Sequence, residues 1–162
     1  MILALSRTPH DAQNAVVQEL DDGSMLAWEL LDAEPGDALL AAPVQVRPGW
    51  LMRHDRIDFP PGGIAYRHTH PGPGIRYLLF GSIGIESGGE THAYGPGEPW
   101  FESGPEPVLA TASETEDTAF VRVLLLPREW EGKRTIRYLD PADEAKPKLQ
   151  RPTVFLEEPL GL

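Results

Sequence analysis

The stretch Tyr66–Gly81, YRHTHPGPGIRYLLFG, decides how this sequence is read. Two histidines, His68 and His70, stand one residue apart, a dense Pro/Gly turn follows, and an apolar run closes on Gly81. In an extended chain residues i and i+2 share a face, so the two imidazoles project together. The segment before it, ending in PPGG, and the segment after it, Ile83–Glu86, carry the same alternation of short β-rich runs and turn residues.

That rhythm extends over most of the chain. Gly (16) and Pro (17) make up about a fifth of the 162 residues, against a usual share near 12%. They are spread out rather than gathered in a tail, as turn punctuation between many short elements would be. Strands are predicted at 51–59, 64–70, 75–80, 83–86, 91–94, 100–102, 108–112, 119–126 and 135–139. The run AFVRVLLL, from Ala119, is almost continuously apolar and should lie at the centre of a sheet. One short helix is predicted, where Asp140 caps, Pro141 takes the first helical position and acids fill the first turn. The first 45 residues are ambiguous: DAQNAVVQEL and SMLAWELL fit strand and helix about equally. The C-terminal PTVFLEEPL is expected as an extended segment along the outside.

Composition limits the function. The length suits one domain with a core of its own. There is no cysteine, which excludes disulfides, thiolate zinc sites and thiol nucleophiles. A net charge of −11 disfavours nucleic acid, whose phosphates attract Lys and Arg. No segment reads as a membrane span, and MILALS lacks the length and leading charge of a signal peptide, so a cytoplasmic location is the expectation. The glycine-rich turns lack the strand–loop–helix context of a phosphate cradle, and there is no G-x-S-x-G elbow.

The spacing around the histidines resembles the first motif of the cupin superfamily. That motif runs Gly, five residues, His-x-His, three or four residues, Glu, six residues, Gly; here Gly62, His68-Thr69-His70, Gly74 and Gly81 keep the spacing. Gly74 stands in place of the glutamate. The segment from Gly97 resembles the second cupin motif, with Val108 in the position of its histidine and no closing asparagine. The resemblance covers roughly residues 50–126 and implies an all-β fold, a double-stranded β-helix (jelly-roll) barrel with short N- and C-terminal extensions. The expected layout is one cupin domain over 1–162, its barrel core at about 44–140, an N-terminal extension at 1–43 and a C-terminal tail at 141–162. A homodimer is common in this superfamily and is expected on that ground.

By the same resemblance His68 and His70 face the barrel interior, with Ile64 and Tyr66 continuing their row. Imidazoles so placed can hold Fe, Ni, Mn, Cu or Zn, and imidazole alone does not choose among them. A catalytic metal generally takes three protein ligands. His92, His54 and Glu102 are the candidates for the third, with His92 slightly preferred. If Gly74 keeps the inward position of the missing glutamate, Arg76, Leu78 and Phe80 point inward and Tyr77 outward. A buried Arg76 needs a partner, either an anionic ligand such as a small carboxylate or an internal acid such as Asp58 or Glu102. Tyr66 is a candidate acid, base or hydrogen-bond donor. Two functions remain open: a metal-dependent enzyme (oxygenase, lyase or isomerase) acting on a small polar organic molecule, or a non-catalytic ligand-binding cupin with a degenerate site.

Overall fold

The computed structural model describes residues 1–162. Fourteen strands form three antiparallel sheets. The N-terminal sheet contains β1 (Ile2–Ser6), β2 (Ala15–Glu19), β3 (Met25–Leu31) and β4 (Leu40–Pro43), in the order β2-β3-β1-β4. The barrel follows from β5 (Leu51–Phe59), β6 (Ile64–Thr69), β7 (Gly74–Phe80), β8 (Ile83–Ser87), β9 (Glu90–Tyr94), β10 (Pro99–Glu102), β11 (Val108–Ala112), β12 (Thr118–Leu126), β13 (Arg137–Tyr138) and β14 (Arg151–Pro159). One face of the barrel is the sheet β10-β7-β12-β5-β14 and the other is β13-β6-β11-β8-β9. Each sheet takes strands from distant parts of the chain, which is the double-stranded β-helix arrangement that the motif spacing implies. The fold is the all-β jelly-roll barrel of the cupins.

β12 lies in the middle of its sheet and all nine of its residues are buried, because both of its faces are covered. On the inner face Phe120 joins Ile57, Phe59, Leu78, Ile85 and Trp100 in the barrel core. On the outer face Val121, Val123 and Leu125 join Ile75 and Tyr77 against Leu5 and Trp28 of the N-terminal sheet. Trp28 also donates its indole N–H to the carbonyl of Ile75 across this seam, at 3.1 Å. Residues 1–43 are thus more than a short extension: they build a complete sheet that covers the barrel's outer face.

The run Met25–Leu31 lacks a clear alternation because five of its seven residues are buried, including both faces of the strand. That is why its sequence fitted helix and strand equally. The C-terminal segment is likewise more than an apposed tail, since β14 pairs with β5 along its length as the edge strand of the sheet. The short helix α1 (Pro141–Glu144) starts at Asp140, whose carboxylate accepts the Ala142 N–H at 2.9 Å.

Two glycines of the motif have clear steric reasons. Gly81 has φ +82° and a side chain there would collide with Thr118. At Gly74 a Cβ would run into the Val123 carbonyl oxygen and stand 3.1 Å from Arg76 Nη1.

Candidate functional site

His68 on β6 and His70 just beyond its end project into the barrel and are buried. Their Nε2 atoms are 3.1 Å apart, and the rings meet edge to face with centroids 4.8 Å apart. Each ring is held from behind. His68 Nδ1 lies 2.6 Å from the Tyr66 carbonyl, and His70 Nδ1 lies 3.0 Å from Thr135 Oγ1. A ring whose Nδ1–H is given to a carbonyl presents a lone pair at Nε2, the orientation seen behind metal-bound histidines. Burial favours the neutral form of both rings: it lowers the His68 pKa and pushes that of His70 well below 6.5, where the Arg122 and Arg76 cations act in the same direction.

The carboxylate of the site comes from an unexpected strand. In the register of β7 with β10, Glu102 sits directly opposite Gly74. The position of the motif glutamate is empty of side chain on one strand, and a carboxylate is supplied from its cross-strand neighbour. One ligand atom from each of His68, His70 and Glu102 lies within 4.8 Å of the others. Val108, in the place of the second-motif histidine, is paired opposite His68 and belongs to the apolar core.

Arg76 is fully buried and lies behind Glu102 rather than at the cavity wall. Its Nε is 2.6 Å from Glu102 Oε2, a close ion contact that is poorly directed as a hydrogen bond, and its Nη1 donates to the Gly74 carbonyl at 2.9 Å. Nη2 has no partner. Desolvation brings the Arg76 pKa down to about 10 despite the opposing charge of Glu102. Glu102 Oε2 also accepts the Trp100 indole N–H at 3.1 Å. Arg76 therefore orients Glu102; the structure gives it no direct access to a ligand, which corrects the anion-clamp expectation in favour of the internal-acid alternative. The other acid considered, Asp58, is bound by Arg56 at 2.8 Å.

Four further expectations are corrected. His92, on the outer strand β9, is exposed, its ring 65% accessible, and lies 3.5 Å from Glu90. His54 is buried on the opposite face of β5, between Trp28 and Phe155, with Nδ1 on the Arg122 carbonyl at 3.0 Å. Tyr66 does not line the cavity, because β6 carries a bulge: Val108 pairs with His68 but Ala110 pairs with Ala65. The extra residue reverses the parity, so Ala65 faces inward, and Tyr66 lies under the Lys146 ammonium instead, at 4.6 Å. A register shift against β12 similarly leaves Phe80 40% exposed, whereas Leu78 stays inside.

The trio opens onto a cavity of about 730 Å³. The inward side chains of several strands change character at a common level. Along β5 Phe59 and Ile57 give way to Asp55 and Arg53, and along β12 Phe120 gives way to Arg122. Ala65 is followed by His68 on β6, and Trp100 by Glu102 on β10. Arg122 binds Asp55 through two contacts, at 2.7 and 3.1 Å, and Arg53 is held by Glu157 and by the carbonyls of Lys133 and Trp130. The sequence reading missed Arg122 and Asp55, although a lone arginine within AFVRVLLL and the alternation of LMRHDRIDF were signals that each faces the interior. It also missed Thr135, which no spacing marks.

No protein-family model matches the sequence, and no curated protein matches it. Similar solved structures do exist. A protein of unknown function from Rhizobium leguminosarum bv. viciae is 26% identical over 43% of this chain and 64% of its own, just under two thirds of its length, with a TM-score of 0.39. An RmlC-like cupin from Shewanella frigidimarina is 16% identical over 53% of this chain and 84% of its own (TM-score 0.43). The polyketide cyclase RemF from Streptomyces resistomycificus is 24% identical over 60% and 80% (TM-score 0.43). Strand order and register establish that the chain is a cupin-fold protein. No helix is long and apolar enough to cross a membrane.

Proposed function

We propose that the barrel binds a divalent transition metal through His68, His70 and Glu102, and that the metal acts on a small organic molecule held in the adjoining cavity. The observation carrying this is the convergence of two imidazoles and one carboxylate at the cavity wall. An Nε2–Nε2 separation of 3.1 Å suits two adjacent ligands on one ion, since metal–nitrogen bonds of about 2.1 Å span roughly 3.0–3.4 Å between neighbours. The donor set, two nitrogens and one oxygen, suits Fe, Ni, Mn, Cu or Zn, and leaves positions free for substrate.

A metal so held would supply Lewis acidity or a site for oxygen, consistent with an oxygenase, lyase or isomerase. The chain's own residues do the positioning. Tyr66 O and Thr135 fix the imidazoles, Arg76 and Trp100 fix the carboxylate, and the apolar half of the barrel offers a surface for the organic body of a substrate.

A second reading has an observation of its own. The contact between Arg76 and Glu102 already neutralises the only carboxylate of the trio, as in a non-catalytic cupin that binds its ligand without metal. Elemental analysis of tag-free protein beside His68→Ala/His70→Ala separates the two. Stoichiometric metal in the wild type and none in the double variant is the expected result. Substoichiometric metal in both overturns the metal reading and leaves the second.

A further inference from the structure

The chain has three lysines, Lys133, Lys146 and Lys148, and all three line this one cavity. Arg134 stands with them at the opening, which lies between the β13–β6 edge of one sheet and the β14–β5 edge of the other. In a chain of net charge −11 such a concentration of cations requires a reason.

Internal pairing does not provide one. Deeper in the cavity the charges are matched: Arg122 with Asp55, Arg53 with Glu157. At the opening Lys146 pairs with Asp143 at 2.6 Å, but Lys133, Arg134 and Lys148 pair with no carboxylate; Lys148 meets the backbone carbonyl of Glu144 and the face of Tyr138. Glu144 is the single acid at the opening without a cationic partner. The opening is thus locally positive on a strongly negative molecule, which draws anions toward this entrance.

The cavity behind the opening is built for something apolar. Ile57, Phe59, Ile85, Trp100, Ala110 and Phe120 form its inner end, and its volume of about 730 Å³ suits a ligand larger than a simple carboxylate. We propose that the ligand is an amphipathic organic anion: a ring-sized apolar body seated on that inner end, with a carboxylate or phosphate ester group met by Lys133, Arg134 and Lys148. The proposal rests on the reading of this cavity as a ligand site, but not on the metal.

Isothermal titration calorimetry on the metal-stripped chain tests it with 2-naphthoate, 2-naphthyl phosphate, 2-naphthamide and acetate. At least one naphthyl anion should bind roughly tenfold more tightly than both the amide and acetate. Raising NaCl from about 50 to about 500 mM should weaken the anions and leave the amide unchanged. The variant Lys133→Ala/Arg134→Ala/Lys148→Ala, altered only around the exposed opening, should bind the anions no better than the amide. The tighter of the two anions identifies the headgroup. Equal binding of anion and amide, equal binding of acetate, a preference that survives in the variant, or no binding of any probe overturns the proposal. Metal content is a separate readout, so either reading can fail alone.

Discussion

Two histidine–carboxylate clusters occur in this molecule, and they are built in opposite ways. In the N-terminal sheet the fully buried Glu29 accepts the backbone N–H groups of His10 (2.8 Å) and Ala12 (3.2 Å). The ring of His10 bridges Glu29 and Asp37, each at 2.8 Å. Both oxygens of Glu29 and both ring nitrogens of His10 are engaged, tying the 7–14 loop to β3 and to Asp37. In the barrel the Nδ1 atoms of His68 and His70 are held by a carbonyl and a hydroxyl, and the Nε2 atoms, 3.1 Å apart, converge with a carboxylate at a cavity wall. Type and number of residues scarcely separate the two clusters. The direction in which the ring nitrogens point does.

The contrast is sharpest for the two carboxylates. Glu102 is set against a guanidinium with no other charge partner, so Glu102→Ala should leave Arg76 charged and buried. A loss of about 3–5 kcal/mol in unfolding free energy is expected from urea titration. Combining Arg76→Met with Glu102→Leu should recover most of it, because an apolar pair of similar volume avoids the desolvation cost. Failure of the double variant to recover would show that Arg76 contributes by more than pairing Glu102.

Glu29 has no guanidinium beside it; its partners are two backbone N–H groups and the titratable ring of His10. Glu29→Gln places an amide group among backbone donors and should cost about 1–3 kcal/mol in the same titration. Metal content should be unaffected. Loss of metal in Glu29→Gln would join two clusters that the structure keeps apart.

The barrel was legible in the sequence because its turns are. Strands at 51–59 and 108–112 fall where Pro/Gly punctuation and β-rich runs put them, and the central position of AFVRVLLL follows from its unbroken apolar character. Parity reasoning held on β7 as far as Leu78, with Arg76 inside and Tyr77 outside. It failed on β6 because one bulged residue reverses every side chain beyond it, and a bulge leaves no mark in YRHTH. Glu102 could be suspected as a ligand but not ranked first. Its place opposite Gly74 is set by strand register across an intervening hairpin, β8 and β9, that lies in the other sheet. His92 attracted attention as a histidine near a turn, yet β9 is an edge strand whose side chains face solvent. The lysines at the opening were invisible for a simpler reason: the segments that carry them have no period, and only closure of the barrel gathers them.

The mildest prediction concerns pH and isolates the N-terminal cluster. Hydrogen bonds to Glu29 and Asp37 raise the His10 pKa above 6.5, because both acceptors favour the protonated ring. A raised folded-state pKa means that this contribution to stability is fully present below the unfolded value of about 6.5 and is lost as pH rises through the folded one. His54 runs the other way: burial lowers its pKa, so its contribution is lost as pH falls below about 6.5. Comparing urea midpoints of wild type and His10→Gln at each pH cancels the part due to His54. The remaining difference should be greatest below pH 6.5 and shrink on the alkaline side. A difference that stays constant across that range would mean that His10 takes up its proton equally in the folded and unfolded chain, and that the two carboxylates add no charge-dependent stability through it.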